Sequence, residues 1–226
     1  SMYFIKTPEL LKRIYPSQIW SFQTSEKKIY LTFDDGPTPA ITPGVLSELK
    51  NFSAKATFFL VGQNAERNPG LFSLIQKDGH AIGNHTYKHV NGWHLSTKSY
   101  LKEVLTGNKV INSTLFRPPY GRITRSQMRS LARRYKVIMW DVLSGDFDKT
   151  LTKERVLKNV IDHTVPGSII VFHDSLKSAG KMQYALPRGL EHFTALGFTF
   201  EKIAEQESFQ KKAHFKAGIQ SQRNTI

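Results

Sequence analysis

The sequence predicts an α/β domain in which parallel β-strands alternate with α-helices. Two observations support this prediction. Short runs of β-branched and aromatic residues alternate along the chain with longer stretches of helical periodicity. A length of 226 residues with 39% hydrophobic content suffices for one packed core. Strand–helix alternation favours parallel pairing with right-handed crossovers, and therefore a barrel or a doubly wound sheet.

Seven runs are predicted as strands, with one helix between each successive pair. The strands are expected at 28–33, 56–61, 80–84, 114–117, 137–142, 168–172 and 198–203. The helices are expected at 43–50, 69–77, 98–111, 124–135, 153–163 and 184–196. Several of these helices follow a Ser or Thr that can cap them and end near a Gly.

Composition excludes several classes of protein. No apolar run approaches the roughly 20 residues of a spanning helix, and residues 3–25 lack the apolar stretch of a secretory leader. We therefore expect a cytoplasmic protein if Met2 is the native start, and a cell-envelope protein if the chain has been shortened. The chain has no cysteine, so any metal must be held by His, Asp or Glu. A formal net charge of +14 favours anionic partners without choosing among them.

Two motifs indicate a metal site. Asp34 and Asp35 are adjacent carboxylates at the end of the first predicted strand, although a turn rich in Asp, Gly and Pro is an equally ordinary structural feature. His85 and His89 follow the third predicted strand at four-residue spacing. Two imidazoles and one of the two carboxylates form the ligand set of a catalytic divalent metal, most often zinc, with iron, cobalt or nickel as alternatives.

Two further strand ends carry polar residues. The fourth is followed by RPPYG, in which Arg117 can offset the carboxylate pair and a rigid amide after the prolines can face an oxyanion. The sixth ends in His173, a candidate proton donor or acceptor that alone is as typical of a structural histidine. The zincin, P-loop, dinucleotide-binding and serine-hydrolase signatures are absent from the sequence.

The motifs TFDDGP, HTYKH, RPPYG, SGDF and VFHD occur in this order between Lys28 and Ile203. In order and spacing they resemble the polysaccharide deacetylase family, which is carbohydrate esterase family four with the NodB-homology domain. The resemblance implies a distorted (β/α)7 barrel in a single domain. It also implies metal-dependent removal of acetyl groups from N-acetylated amino sugars or, less often, from O-acetyl esters.

The resemblance implies a role for each motif residue. Asp34 is the general base, and Arg117 holds it. His173 is the general acid, oriented and kept protonated by Asp146, and Tyr120 helps to bind the oxyanion through its backbone amide. The implied metal ligands are Asp35, His85 and His89.

Three residues depart from the family pattern. Val90 replaces a usual Pro, Phe147 a usual Trp and Val171 a frequent Leu. Phe147 and Val171 match positions that line the pocket for the acetyl methyl group, and Trp140 is assigned to the same pocket. None of the changes removes a catalytic atom, but they predict a shallower or wider pocket.

These features predict a deacetylase of N-acetylhexosamine units in a glycan, with peptidoglycan or a chitin-like oligomer as substrate and one divalent ion, Zn²⁺ or else Co²⁺ or Ni²⁺. The alternatives are an O-acetyl xylan-type esterase and an inactive glycan-binding module. No nucleic acid is expected as a partner, because the basic stretches lack interleaved aromatic residues. The expected segments are an N-terminal extension packed on the barrel (1–27), the catalytic domain (28–204) and a polar basic tail (205–226).

One charged feature lies outside the resemblance. Arg125, Arg129 and Arg133 recur at four-residue spacing along one face of the predicted helix 124–135, a stretch without acidic residues. A solvated barrel exterior is the simple interpretation. The alternative hypothesis is a stripe that docks the enzyme on an anionic polymer or membrane surface.

Overall fold

A computed structural model describes residues 3–205. Its main feature is a parallel sheet curled into a half-barrel, with strand order β5-β4-β3-β2-β1-β7-β6. The strands are β1 (Lys28–Asp34), β2 (Ala56–Leu60), β3 (Ala81–Asn84), β4 (Leu115–Phe116), β5 (Lys136–Val137), β6 (Val142–Leu143), β7 (Ile169–His173) and β8 (Thr199–Phe200). The short β8 pairs with the start of β1, off this path. The architecture confirms the predicted distorted barrel.

Eight α-helices accompany the strands in the described part of the chain. They are α1 (Glu9–Ile14), α2 (Thr42–Asn51), α3 (Gly62–Arg67), α4 (Pro69–Lys77), α5 (Thr97–Ile111), α6 (Arg125–Leu131), α7 (Lys153–His163) and α8 (Ala179–Ala195). The periodicity predicted α4 and α7 to the residue. Within residues 3–205, no helix has the length and apolar character required to cross a membrane.

Strand alternation separates the apolar core from the site. Phe33, Phe58 and Phe172 lie on the face that α2, α7 and α8 cover, and their rings stack on one another. Asp34 is the neighbour of Phe33 and therefore points into the barrel. In the register of β1 and β7, Asp34 is the direct partner of His173.

The predicted strand 137–142 was wrong, because the chain there forms two short strands, β5 and β6. Between them the backbone leaves the sheet, and the carbonyls of Ile138 and Met139 accept hydrogen bonds from the Arg117 guanidinium at 3.2 and 2.9 Å. A continuous strand would commit these carbonyls to ladder pairing. The apolar sequence of the segment gives no sign of this break.

The N-terminal segment occupies the gap between β5 and β6. Ile19 forms a parallel bridge to Ile138, and Lys6 forms an antiparallel bridge to Val142. The buried carboxylate of Asp141 accepts from the ammonium groups of Lys6 and Lys12 at 2.5 and 2.8 Å. The segment thus satisfies backbone groups that the open sheet edges would expose.

Two predicted helix boundaries were also wrong by several residues. Helix α6 ends at Leu131 rather than Tyr135, because the chain turns there to bury Tyr135 against Phe116, with ring centroids 6.0 Å apart. Helix α8 begins at Ala179, five residues before the prediction, because Met182 is packed in the core. Helices α1 and α3 were not predicted, since each spans only six residues.

Candidate active site

The carboxyl ends of β1, β3, β4, β6 and β7 and the loops that follow them bring the predicted site residues together. Parallel strands direct their C-terminal loops to one edge of the sheet, which explains the assembly. The site contains a buried arginine–aspartate pair, a group of three metal-ligating side chains and a histidine–aspartate pair.

Arg117 is fully buried inside the barrel and fixes Asp34. Its Nη1 donates to Asp34 Oδ1 and to Thr32 Oγ1, both at 2.7 Å. The guanidinium also stacks on Phe59, with Cζ 4.1 Å from the ring centroid. A buried charge is tolerated only when it is paired and hydrogen-bonded, and Arg117 meets both conditions. Asp34 therefore has one carboxylate oxygen held and the other, Oδ2, directed toward His85 Nε2 at 3.9 Å.

Asp35, His85 and His89 converge on one point. Their candidate ligand atoms all lie within 4.8 Å of one another. Asp35 Oδ1 lies 3.1 Å from His89 Nε2 and 4.0 Å from His85 Nε2. Tetrahedral zinc with bonds of about 2.0 to 2.1 Å places its ligand atoms about 3.3 Å apart, so this group fits such an ion after small shifts.

The protonation of His85 suits a ligand. Its Nδ1 lies 2.8 Å from the carbonyl oxygen of Arg117, which accepts a hydrogen bond from Nδ1–H and leaves the Nε2 lone pair facing Asp35. Burial lowers the pKa of His85 to about 4, so the imidazole is neutral at neutral pH. Burial by itself would raise the pKa of Asp35. The hydrogen bond from His89 and the nearby imidazoles together have the larger, opposite effect, so the pKa of Asp35 is well below its usual range.

His173 and Asp146 form a second buried pair. Asp146 Oδ1 lies 2.7 Å from His173 Nδ1, and Asp146 Oδ2 accepts from the backbone N–H of His173 at 2.7 Å. Burial alone would lower the pKa of His173, but the charge and hydrogen bond of Asp146, together with Asp35 and Asp34, raise it to about 9. His173 is therefore protonated at neutral pH and can donate a proton from Nε2.

Tyr120 lies in the turn Pro119–Gly121, with its ring 4.7 Å from that of His89. Within residues 3–205 its backbone N–H has no hydrogen-bond partner. The two prolines before Tyr120 have no N–H, which leaves this amide as the free donor of the loop. The arrangement suits binding of a negatively charged oxygen.

Several site residues adopt a strained backbone conformation. Asp35, Thr86, His89 and Tyr120 all have positive φ, at 80°, 65°, 56° and 61°. A residue other than glycine reaches this region at a cost of about 1 kcal/mol or more. Such strain persists where the surroundings fix the loop, and here it sets the direction of two candidate ligands and of the Tyr120 amide.

The three predicted pocket residues lie around this site. The Phe147 ring contacts the His173 ring edge to face, with centroids 5.2 Å apart. Val171 is buried on β7, two residues before His173 and so on the same inward face. Trp140 packs under the Tyr120 turn, where a Cβ on Gly121 would lie 2.6 Å from the indole.

Sequence reasoning missed two contributors. The Tyr3 ring packs against that of Phe147 in a tilted arrangement, with centroids 5.2 Å apart, and its hydroxyl donates to Asp148 Oδ2. Tyr3 lies 144 positions before Phe147 in the sequence, so no local pattern could predict that the two rings meet. The N-terminal segment thus packs against Phe147, one of the predicted pocket residues.

The second missed contributor is Asp174, which is fully buried. It accepts from the Gly36 N–H at 2.9 Å and from Thr42 Oγ1 at 2.6 Å, so it holds the turn after Asp35. Burial raises the pKa of Asp174 to about 8. A Cβ on Gly36 would lie 2.1 Å from this carboxyl, which explains the glycine. An acidic residue directly after His173 was the available signal.

The arginine stripe is only partly regular. Arg125 and Arg129 are exposed on α6, but Arg133 lies in the turn after the helix, because α6 ends at Leu131. The prediction that all three share one helix face was therefore wrong. The predicted basic tail (205–226) is a separate segment, and all of it beyond Glu205 lies outside the described residues.

Comparisons with known proteins identify a family and several relatives of this chain. The sequence model of the polysaccharide deacetylase family matches residues 22–139, just over half of the chain. One peptidoglycan-N-acetylglucosamine deacetylase of Bacillus cereus is 34% identical over 158 residues, which cover 67% of this chain and 57% of that protein. A second protein of that name from the same species is 32% identical over 193 residues, covering 82% and 91%.

A solved structure has a similar fold. A peptidoglycan N-acetylglucosamine deacetylase superposes with a TM-score of 0.80 at 29% identity, covering 87% of this chain and 95% of that one. The fold, the order of the motifs and the sequence relatives point to the same group of hydrolases. The chain therefore belongs to the polysaccharide deacetylase family.

Proposed function

We propose that this protein is a metal-dependent deacetylase that hydrolyses the acetamide of N-acetylhexosamine units in a glycan, either peptidoglycan or a chitin-like oligomer. One observation carries the proposal. Asp35, His85 and His89 converge within 4.8 Å, directly beside a carboxylate held by Arg117 and a protonated histidine. The names of the Bacillus cereus relatives support the same reaction.

Asp35, His85 and His89 would hold one divalent ion, with Zn²⁺ as the first candidate and Co²⁺ or Ni²⁺ as alternatives. Such an ion lowers the pKa of a water molecule and polarises a carbonyl group when it is bound. Three protein ligands leave positions open for water and substrate, which is the usual state of a catalytic site.

The remaining residues act on protons and charge. Asp34 accepts a proton from the attacking water, and Arg117 keeps its carboxylate in place. The Tyr120 amide donates to the oxygen that becomes negative when the carbonyl carbon turns tetrahedral. His173 then donates its Nε2 proton to the departing amine nitrogen, because a free amide anion is too basic to leave.

Two rival functions need a direct test. We expect the protein to release acetate from N-acetylglucosamine oligomers and from peptidoglycan strands faster than from acetylated xylan. Removal of metal by a chelator should abolish release, and added Zn²⁺, Co²⁺ or Ni²⁺ should restore it. Acetate is measured enzymatically, and bound metal by elemental analysis.

Each rival predicts a different outcome. Faster release from xylan would identify an O-acetyl esterase. Glycan binding without release by the metal-loaded protein would identify an inactive binding module. Activity that survives complete loss of metal would contradict the proposed mechanism.

The basic face of α6 supports a second, independent proposal. Neither Arg125 nor Arg129 has a carboxylate within 4.0 Å in residues 3–205, so their field is open to an anionic surface. We expect the double variant Arg125→Gln, Arg129→Gln to bind anionic lipid vesicles several-fold more weakly at low salt, with turnover on a neutral oligomer unchanged. Arg155→Gln on α7 serves as the control. Equal vesicle binding by the variant and the parent at every ionic strength would contradict this docking role.

A further inference from the structure

The loops that carry His89 and Tyr120 also carry an exposed tryptophan and an arginine that stack on each other. Arg122 Cζ lies 4.9 Å from the ring centroid of Trp93. Trp93 follows His89 by four residues, and Arg122 follows Tyr120 by two. Since the rings of His89 and Tyr120 are in contact, the Trp93–Arg122 pair lies on the rim of the active site.

The backbone under Trp93 is firmly held. Asn91 Oδ1 accepts from the Trp93 N–H at 3.0 Å, and Gln127 Nε2 donates to the Gly92 carbonyl at 2.8 Å. A Cβ on Gly92 would lie 2.4 Å from the Arg122 carbonyl oxygen, so a glycine is needed for the two loops to touch. The position of Trp93 is therefore set by buried contacts, although its side chain faces solvent.

The aromatic surface on this rim is large. Trp93 is 61% exposed and Tyr120 is 60% exposed, so two rings are open to solvent beside the metal ligands. Exposing such rings forfeits the burial that aromatic side chains ordinarily gain, which favours a binding role. Aromatic rings offer a flat apolar face to the C–H face of a pyranose ring.

Arg122 has no acidic partner within residues 3–205, since no carboxylate lies within 4.0 Å of its guanidinium. Nor does its side chain donate a hydrogen bond to any described residue. Contact with the Trp93 ring holds the guanidinium group at the rim and leaves its N–H groups free. A planar cation held in this way matches the two oxygens of a carboxylate.

We propose that the Trp93–Arg122 pair is a subsite for the sugar next to the one that is deacetylated. Trp93 stacks on the ring of that sugar, and Arg122 pairs with a carboxylate attached to it. This inference rests on the proposed function and narrows its substrate. The occupant is a glycan in which the neighbouring sugar bears a free carboxylate, as N-acetylmuramic acid does where no peptide is attached. Neutral chitin oligomers lack this group.

The test compares two tetrasaccharides of equal length. One is chitotetraose, and the other alternates N-acetylglucosamine with N-acetylmuramic acid. We expect the parent protein to show kcat/KM about tenfold higher on the carboxylated substrate, through a lower KM, because a charged hydrogen-bonded pair contributes that much. Arg122→Gln should bring the ratio of the two kcat/KM values to about one and retain activity on chitotetraose.

Further variants separate the parts of the subsite. Arg122→Lys should retain part of the preference, because a lysine keeps the charge but not the planar pairing. Trp93→Ala should raise KM for both substrates and leave kcat on each largely unchanged. Arg188→Gln is the matched control, since Arg188 is also an exposed arginine stacked on an aromatic ring, that of Tyr184 on α8. It should leave both substrates unaffected.

Binding of both tetrasaccharides is measured by calorimetry in the same variants. An unchanged preference in Arg122→Gln, in turnover and in binding, would overturn the subsite. Failure of the metal-loaded parent to release acetate from either substrate would instead overturn the proposed function. In that case the calorimetric comparison of parent and Arg122→Gln still decides the subsite.

Discussion

Asp34→Asn is expected to lower kcat by about 10² to 10⁴-fold while the protein keeps its metal, because the change removes a general base and leaves the three candidate ligands intact. The Asn Oδ1 can still accept from Arg117 Nη1, which now donates to Asp34 at 2.7 Å. Acetate release under saturating substrate gives kcat, and elemental analysis of the same samples gives the metal content.

The control for this variant removes a different carboxylate that is paired with a cation. Asp162 lies on the surface and pairs with Lys158 at 3.2 Å on α7, so Asp162→Asn should retain full activity. Loss of the Asp34 charge beside a buried guanidinium also destabilises the fold, by about 3 to 5 kcal/mol if the pair is broken outright. Unfolding curves therefore accompany the kinetics. Near-parental kcat in folded Asp34→Asn would mean that Asp34 only shapes the turn.

Asp146→Asn should weaken the acid step and shift its pH dependence. The carboxylate of Asp146 is the main group that raises the pKa of His173 to about 9, so its loss lowers that pKa. The acid form of His173 is required, and the activity therefore falls as pH rises through the pKa. We expect the basic limb of kcat/KM to move to lower pH and the rate at neutral pH to fall by about 10² to 10⁴-fold.

Asp35 and Asp34 contribute part of the increase in the pKa of His173, and a cation held by Asp35 would offset that part. The increase that comes from contact with Asp146 would remain. The ordinary pKa of histidine is about 6.5, so the pair stabilises the fold below that pH and this contribution is lost as pH rises through about 9.

His173→Ala is the reference and should lose the basic limb altogether. His192→Ala on α8 is the control. An unmoved basic limb in Asp146→Asn would assign that limb to another group.

Local patterns in the sequence predicted most of the strand and helix order. The motif residues at five strand ends predicted which side chains would meet. These predictions succeed because each depends on a few neighbouring residues and on the rule that parallel strands end at one edge. The structure brings Asp34, Asp35, His85, His89, Arg117, Tyr120, Asp146 and His173 together at one edge of the sheet.

Other features depend on partners far along the chain. The break between β5 and β6 exists because Arg117 takes the carbonyls of Ile138 and Met139, and because residues 5–21 supply the missing edge contacts. Tyr3 supports Phe147 in the same way. No local pattern predicts such contacts. A short apolar segment is predicted as a strand whether its neighbour in the folded protein is another strand or an arginine.

The sequence by itself determined the strand and helix alternation and the family, and it supplied the candidate residues for the proposed chemistry. Only the tertiary structure decided how the barrel is closed, which carboxyl group holds the turn after Asp35, and that Trp93 and Arg122 stack beside the site. The physical reason is that periodicity and motifs are set within a few residues. Closure, burial and stacking are set by groups that meet only when the chain is folded.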